Sequence, residues 1–311
     1  MPDVTVLMAA YNAMPYLPEA VESILNQSIR DFTFIVVDDG STDGTSGYLQ
    51  RLTDPRVVVL RQDNKGLASA LNSGLAACKT EFLARMDADD KCSPMRLELL
   101  LGFMRSHEEV VLAGTHVRFF VGKRKFSGPQ KHLDHDGIRK ALLAGVPAIC
   151  HGACMMRTEA IRAIGGYRDL KAGQDIDMYL RISENGRLAN IPDVLYDIRV
   201  QENSTCFARA DLVRRDVRFS IECARCRAAD VPEPSIDDVA ERWTRRGSIR
   251  KLLDRIGWWS GVQYRKSMID RGNGRNVRGL MRLGIASLLR PKGALRHVAG
   301  LLRRGKRGSK R

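Results

Sequence analysis

Phe82-Leu83-Ala84-Arg85-Met86-Asp87-Ala88-Asp89-Asp90 is a short apolar run that ends in three carboxylates within four residues. Its start has the length and character of a buried strand, so the acids fall at the strand's end. Carboxylates this close repel one another unless a positive charge sits among them, and a divalent cation carrying a diphosphate supplies that charge. Hard oxygen ligands select Mg²⁺ or Mn²⁺. Alone, such a stretch fits a solvated acidic turn better than a cation site, and what precedes it decides between the two readings.

Three similar strands lie upstream. Val4-Thr5-Val6-Leu7-Met8-Ala9 runs into Tyr11-Asn12, and a helix carrying Pro18, Ala20, Val21, Ile24 and Leu25 at helical spacing follows as far as Arg30-Asp31. Phe32-Thr33-Phe34-Ile35-Val36-Val37 runs into Asp38-Asp39-Gly40-Ser41-Thr42-Asp43, so a second strand also ends in acid. Val57 to Leu60 leads to Asn64-Lys65-Gly66, and Leu67, Ala70, Leu71, Leu75 and Cys78 stripe the next helix. Strands alternating with helices imply a mostly parallel sheet with right-handed crossovers, and ligands collect at the C-terminal ends of such strands. Tyr11, Asp39, Lys65 and the 87–90 cluster therefore share one rim. The first strand is followed by Ala9-Ala10-Tyr11-Asn12-Ala13 rather than a G-x-G-x-x-G turn, and no G-x-x-x-x-G-K-[ST] loop occurs, so a diphosphate would have to be held through metal.

These segments resemble family 2 glycosyltransferases of the GT-A fold: Val6 to Asn12, Val36 to Asp43, Asn64-Lys65-Gly66 and Asp87 to Asp90 stand in that family's order and spacing. The resemblance continues through Gly165-Gly166-Tyr167, Gln174-Asp175-Ile176-Asp177 and Arg181 to about Ser204. It implies an inverting enzyme with a Rossmann-like, mostly parallel mixed sheet flanked by helices, which moves a sugar from a nucleotide-diphosphate sugar to a saccharide or lipid-linked acceptor. Bacterial surface polysaccharide or glycolipid assembly is the usual setting. Carried over by position, the loop Ala10-Tyr11-Asn12 and the pair Asp38-Asp39 hold base and ribose, with Tyr11 stacking on the base. Lys65 contacts the nucleotide or its phosphates, Asp87 serves either the ribose or the support of the metal's ligands, and Asp89 is the metal ligand. His151 and Arg157 fall where relatives contact the sugar or diphosphate.

An acceptor hydroxyl attacks an anomeric carbon poorly unless its proton leaves as the bond forms, so a base is required. Asp175 is the candidate, at the start of a helix with apolar face Ile176, Tyr179, Leu180 and Ile182; Asp177 is the reserve. Gln174 stands where many relatives have Glu, so the resemblance leaves its contact with acceptor or diphosphate open while keeping the base, and Gln201 stands where some have His, so a third protein ligand to the metal is not implied. Cys150, His151 and Cys154 lack a second ligand pair at zinc spacing. A sugar nucleotidyltransferase is the alternative enzyme class, but its glycine-rich basic loop after the first strand is missing.

The middle of the chain reads as strands over 110–114 and 116–121 and a helix from Ile138 to Leu143. Charge divides the rest. Residues 201–311 hold 27 Lys+Arg against 11 Asp+Glu, whereas residues 1–200 are nearly neutral, so the expected organisation is a catalytic domain over 1–204 and a helical, arginine-rich extension over 205–311. Helices are expected from Asp211 to Arg227 and from Asp237 to Trp259. Between Arg242 and Arg311, 21 Lys+Arg face two acids, with Trp258-Trp259, Val277, Leu280, Met281, Leu288 and Leu289 interleaved. That pattern suits an amphipathic segment lying on an anionic membrane. Nucleic acid is the weaker partner, since no recognised nucleic-acid module is present. Seven scattered cysteines and the lack of a signal-like or spanning apolar stretch lead to the expectation of a cytoplasmic protein, peripheral at the inner face of the membrane.

Overall fold

The computed structural model describes residues 2–201, 210–245 and 248–289. Four strands, β1 (Val4–Ala10), β2 (Thr33–Asp39), β3 (Val57–Gln62) and β4 (Phe82–Asp87), pair in parallel in the order β3-β2-β1-β4. The helices between them are α1 (Leu17–Leu25), α2 (Thr45–Gln50) and α3 (Leu67–Ala77). Beyond β4 the sheet continues through β8 (Met155–Arg157), β6 (Val110–Val121), β9 (Arg187–Arg199) and β5 (Lys91–Cys92), while β7 (Arg124–Ser127) pairs with β6. β8 runs antiparallel to both β4 and β6, which makes the sheet mixed, as the GT-A resemblance implied.

Period-two alternation sorts the central strands. Val4, Val6 and Met8 of β1 and Phe34 and Val36 of β2 face α1 and α4 (Arg96–Ser106); Leu7, Ile35 and Val37 face the opposite layer, which includes α3 and α7 (Gln174–Ile182). Strands buried on both faces read as continuous apolar runs, which is why they were legible. The second layer also takes in α5 (His135–Leu143) through Ile138 and Leu142 and α6 (Thr158–Ala163) through Ile161, while a single 3₁₀ turn (His151–Ala153) sends Ala153 into the first.

Several boundaries depart from expectation. The first helix stops at Leu25, not Arg30, and the Ser28 N–H is taken by the Pro94 carbonyl at 2.8 Å. The two strands around Gly114 are one strand, because Thr115 is fully buried and continues it. Helix α5 begins at His135, where Asp134 caps it by accepting from the Gly137 N–H at 2.8 Å. The single helix expected over 237–259 is two helices.

Two compact units form. The first comprises 1–119, 127–199 and 211–239, so that most of α8 (Ala210–Ala228) belongs with the sheet rather than with the basic extension. The second comprises 120–126, 200–210 and 240–311 and includes α10 (Ser248–Gly272) and α11 (Asn276–Leu289). Helix α9 (Ile236–Thr244) spans the division. Among the described residues no helix is long and apolar enough to cross a membrane, and every cysteine is a free thiol.

Candidate active site

The three loops after β1, β2 and β3 are built as one framework. Asn12 adopts φ 48°, a left-handed conformation that Asn tolerates, and its Oδ1 accepts from the Thr42 N–H at 2.8 Å and the Asp43 N–H at 3.3 Å. Asp38, 1% exposed, accepts from the Ser41 N–H at 3.0 Å and from Ser46 Oγ. Asp39, also buried, accepts from Gln62 Nε2 (2.7 Å), the Lys65 N–H (3.0 Å) and the Gly66 N–H (2.8 Å). Gly40 is required between them: its φ is +72°, and a Cβ there would lie 2.7 Å from Asn64 N. Three donors leave the Asp39 carboxylate about one free lone-pair site. Tyr11 stands out from this framework at 52% exposure, Lys65 is also exposed, and Ala10 is buried, so only its backbone is on offer.

The acidic cluster is held by cations and a phenol that the sequence reading did not assign. Arg85, 1% exposed inside β4, pairs with Asp87 at 2.5 Å, and Asp87 keeps 36% exposure. Fully buried Arg96 donates to the carbonyls of Arg85 (2.9 Å) and Gly152 (2.6 Å) and lies over the Tyr196 ring. The Asp87 N–H donates to Tyr196 Oη at 3.1 Å. Gly152 packs so closely here that a Cβ would lie 2.1 Å from Tyr196 Oη and 2.5 Å from Asp87 Oδ2. Asp90 is buried and accepts from the Arg199 N–H at 2.7 Å, while Arg199 Nε donates to the Asp89 carbonyl and its Nη2 to Glu19. Burial, then the Asp87 and Asp89 charges, push Asp90 well above the usual carboxylate range. Asp89 is raised to about 6, by burial first and the Asp87 charge second. Among the described residues no three His, Cys, Asp or Glu side chains form a metal-ligand group.

Helix α7 brings the remaining carboxylate. Its entry turns on Gly173, φ 67°, and the preceding Ala172 N–H is fixed by buried Asp216 of α8 at 3.0 Å. Burial pushes Asp175 up from the ordinary carboxylate value, and it lies within electrostatic reach of Asp87 and Arg85. Gln174 beside it is buried. His151 joins the same group: its Nε2 lies 2.9 Å from Tyr167 Oη, and burial together with Arg85 holds its pKa well below the ordinary imidazole value. Asn72 clamps Tyr167 through both its backbone N–H (2.9 Å) and carbonyl (2.8 Å), which explains the Gly165-Gly166-Tyr167 turn. Lys131 also faces Asp175 and Cys150, with its ammonium on the Pro147 carbonyl.

Two residues singled out from the sequence do not join this group. Arg157 pairs with Phe82 in the β4–β8 ladder, at the opposite end of β4 from Asp87, a separation of roughly 17 Å at 3.3–3.4 Å per residue. Its guanidinium is spent on Glu81 (3.0 Å) and on the carbonyls of Met104 and Val110. Asp177, the reserve base, is 1% exposed and locked to Arg181, which also donates to the carbonyls of Ile164 and Gly166.

The profile of Glycosyl transferase family 2 matches residues 5–165. The chain is 34% identical over 254 residues to EpsE of Bacillus subtilis (strain 168), named as a glycosyltransferase, covering 74% of this chain and 84% of that protein. It is 32% identical over 201 residues to the amylovoran biosynthesis glycosyltransferase AmsE of Erwinia amylovora, covering 63% and 75%. In three dimensions it resembles S. aureus TarS 1–349 in complex with UDP-GlcNAc, with TM-score 0.62 and 17% identity over 93% of this chain and 91% of that one. The mannosyltransferase PcManGT from Pyrobaculum calidifontis, in complex with GDP-Man and Mn²⁺, aligns with TM-score 0.57 and 20% identity over 97% and 80%. Sequence profile, relatives and fold agree with the motifs on the rim, and the chain belongs to glycosyl transferase family 2.

Proposed function

We propose that this rim transfers a sugar from a nucleotide-diphosphate sugar to an acceptor hydroxyl with inversion, in the assembly of a bacterial polysaccharide or glycolipid. The observation that supports this best is Asp175, a carboxylate made more basic by burial and set within reach of the Asp87–Arg85 pair. As the acceptor oxygen bonds to the anomeric carbon, its proton passes to Asp175 and the bond from that carbon to the diphosphate breaks on the opposite face. One displacement needs no enzyme nucleophile.

In this reading Tyr11 stacks on the base, the remaining lone-pair site of Asp39 accepts from base or ribose, and the Lys65 ammonium meets phosphate. Asp87 serves the ribose. Neutral His151, steadied by Tyr167, and the Gln174 amide offer hydrogen bonds to the sugars. The acidic cluster suits a hard cation: burial first and the Asp87 charge second raise Asp89 to about 6, and a cation would favour its charged form. Mg²⁺ or Mn²⁺, bound by Asp89 and completed by diphosphate and water, would supply charge to the departing diphosphate. AmsE, named for amylovoran biosynthesis, supports the polysaccharide setting, and the Mn²⁺ of PcManGT supports the metal.

The test is to incubate the protein with a panel of nucleotide-diphosphate sugars and saccharide or lipid-linked acceptors with and without Mn²⁺. Release of nucleoside diphosphate and an inverted product is the expected result. Pyrophosphate release would mark nucleotidyl transfer instead.

A further inference from the structure

Helix α11 is fixed against α10 by features that leave no choice of which face turns inward. Asp270 of α10 is buried and takes three arginines, Arg275 at 2.9 Å, Arg282 at 2.8 Å and Arg278 at 3.6 Å. Gly279 lies so close to α10 that a Cβ would sit 3.0 Å from the Ser267 carbonyl oxygen, and Ser260 Oγ donates to the Ala286 carbonyl at 2.9 Å. With Gly279 and Ala286 inward, the residues on the opposite side must face out.

Those residues are large and apolar. Val277, Leu280, Met281, Ile285 and Leu288 recur at helical spacing along one stripe and are 75%, 58%, 66%, 42% and 83% exposed. An unbroken apolar stripe of this kind on a short helix marks a site that something covers. Charge identifies the occupant. Arg275 and Arg278 stay 49% and 61% exposed although paired, and residues 276–311 contain 11 Lys+Arg and no Asp or Glu. A second copy of this chain would bring the same positive charge to the contact and be repelled. Nucleic acid would satisfy the arginines but leave the apolar stripe in water.

We infer that the outer face of α11 lies on an anionic lipid surface, with Val277, Leu280, Met281, Ile285 and Leu288 among the acyl chains and the arginines at the headgroups. The protein docks through a preformed helix held by the Asp270 cluster.

Flotation of the full-length protein with phosphatidylcholine vesicles, with and without about 30% phosphatidylglycerol, tests this. Wild type is expected to float with the anionic vesicles and to be released as salt rises toward about 0.5 M. A full-length variant carrying Val277→Ser, Leu280→Ser and Leu288→Ser should partition about tenfold or more weakly, with melting and helical circular dichroism unchanged because the three side chains face solvent. Leu288→Ser alone, at the most exposed position, should weaken partition in the same direction. Flotation of the variants equal to wild type would overturn the inference, as would no flotation by wild type. So would a wild-type dimer that the triple variant converts to monomer, since a second copy would then be the occupant.

Discussion

Two carboxylates on one helix, two residues apart, have opposite surroundings. Asp177 is sealed into an ion pair with Arg181, whereas Asp175 is raised by burial and looks toward Asp87 and Arg85. Asp177→Asn should therefore cost about 3–5 kcal/mol of stability by leaving buried Arg181 uncompensated, read as a lower denaturant midpoint. Asp89 has a different signature. Its folded-state pKa, about 6, lies above its ordinary 3.8, so the folded form binds the proton more tightly. The Asp89 contribution to the stability of the metal-free protein should then fall as pH rises from about 4 to about 6 and stay constant above that. Asp89→Asn removes this penalty. At pH 7 without metal it should melt roughly 2–4 °C higher than wild type, the effect of about 1 kcal/mol in a domain of ~200 residues. Wild type should melt higher with Mn²⁺ and donor present, and the variant should lose that rise. A variant that melts lower, or that keeps the full Mn²⁺ response, would remove Asp89 from the metal site. The sequence singled out Asp89 and Asp175 by motif and kept Asp177 in reserve, but the ion pair that sets Asp177 aside was not legible, because only the fold shows which carboxylate Arg181 occupies.

At the scale of elements, the rim depends on loops that are pinned before any ligand arrives. Asp39 ties β2 to the turn that starts α3 through two backbone N–H groups and Gln62, so Asp39→Ala should destabilise by about 2–3 kcal/mol as well as weaken donor binding. Chemical denaturation checks the first effect, and an unchanged midpoint would mean the loop closes without it. Gly152→Ala pushes a methyl into Tyr196 and Asp87, and should cost about 1–3 kcal/mol while lowering affinity for donor. The parallel strands and their acidic ends were legible because each strand is an apolar run stopped by polar residues. The ties were not. Arg85 and Arg96 are charges inside apolar segments, a signal that something buried needs them; Asp87 lies two residues from Arg85, yet Gly152 and Tyr196, the partners of Arg96, come from separate parts of the chain. Arg157 misled for the same reason: its neighbour in sequence, the 150–154 segment, reaches the rim, but β8 runs antiparallel to β4 and carries Arg157 to the far end.

On the scale of the whole molecule, charge alone suggested a neutral catalytic part and a basic appendage. Packing draws the line elsewhere, since α8 contributes Asp216 to the loop that introduces Asp175 and its residues from 211 onward belong to the first unit. Amphipathic spacing after residue 242 was visible in sequence, but not which side of α11 the Asp270 cluster turns inward. The account's central claim remains chemical: one rim gathers donor, cation and a single base. The most direct test is steady-state transfer by Asp175→Asn beside wild type, with the donor the panel identifies and Mn²⁺ present. Turnover should fall about 10²–10⁴-fold with donor affinity unchanged, and the wild-type rate should fall on the acid side with a pKa above the ordinary carboxylate value, a limb the variant lacks. Turnover within a few-fold of wild type at unchanged donor affinity would contradict the claim.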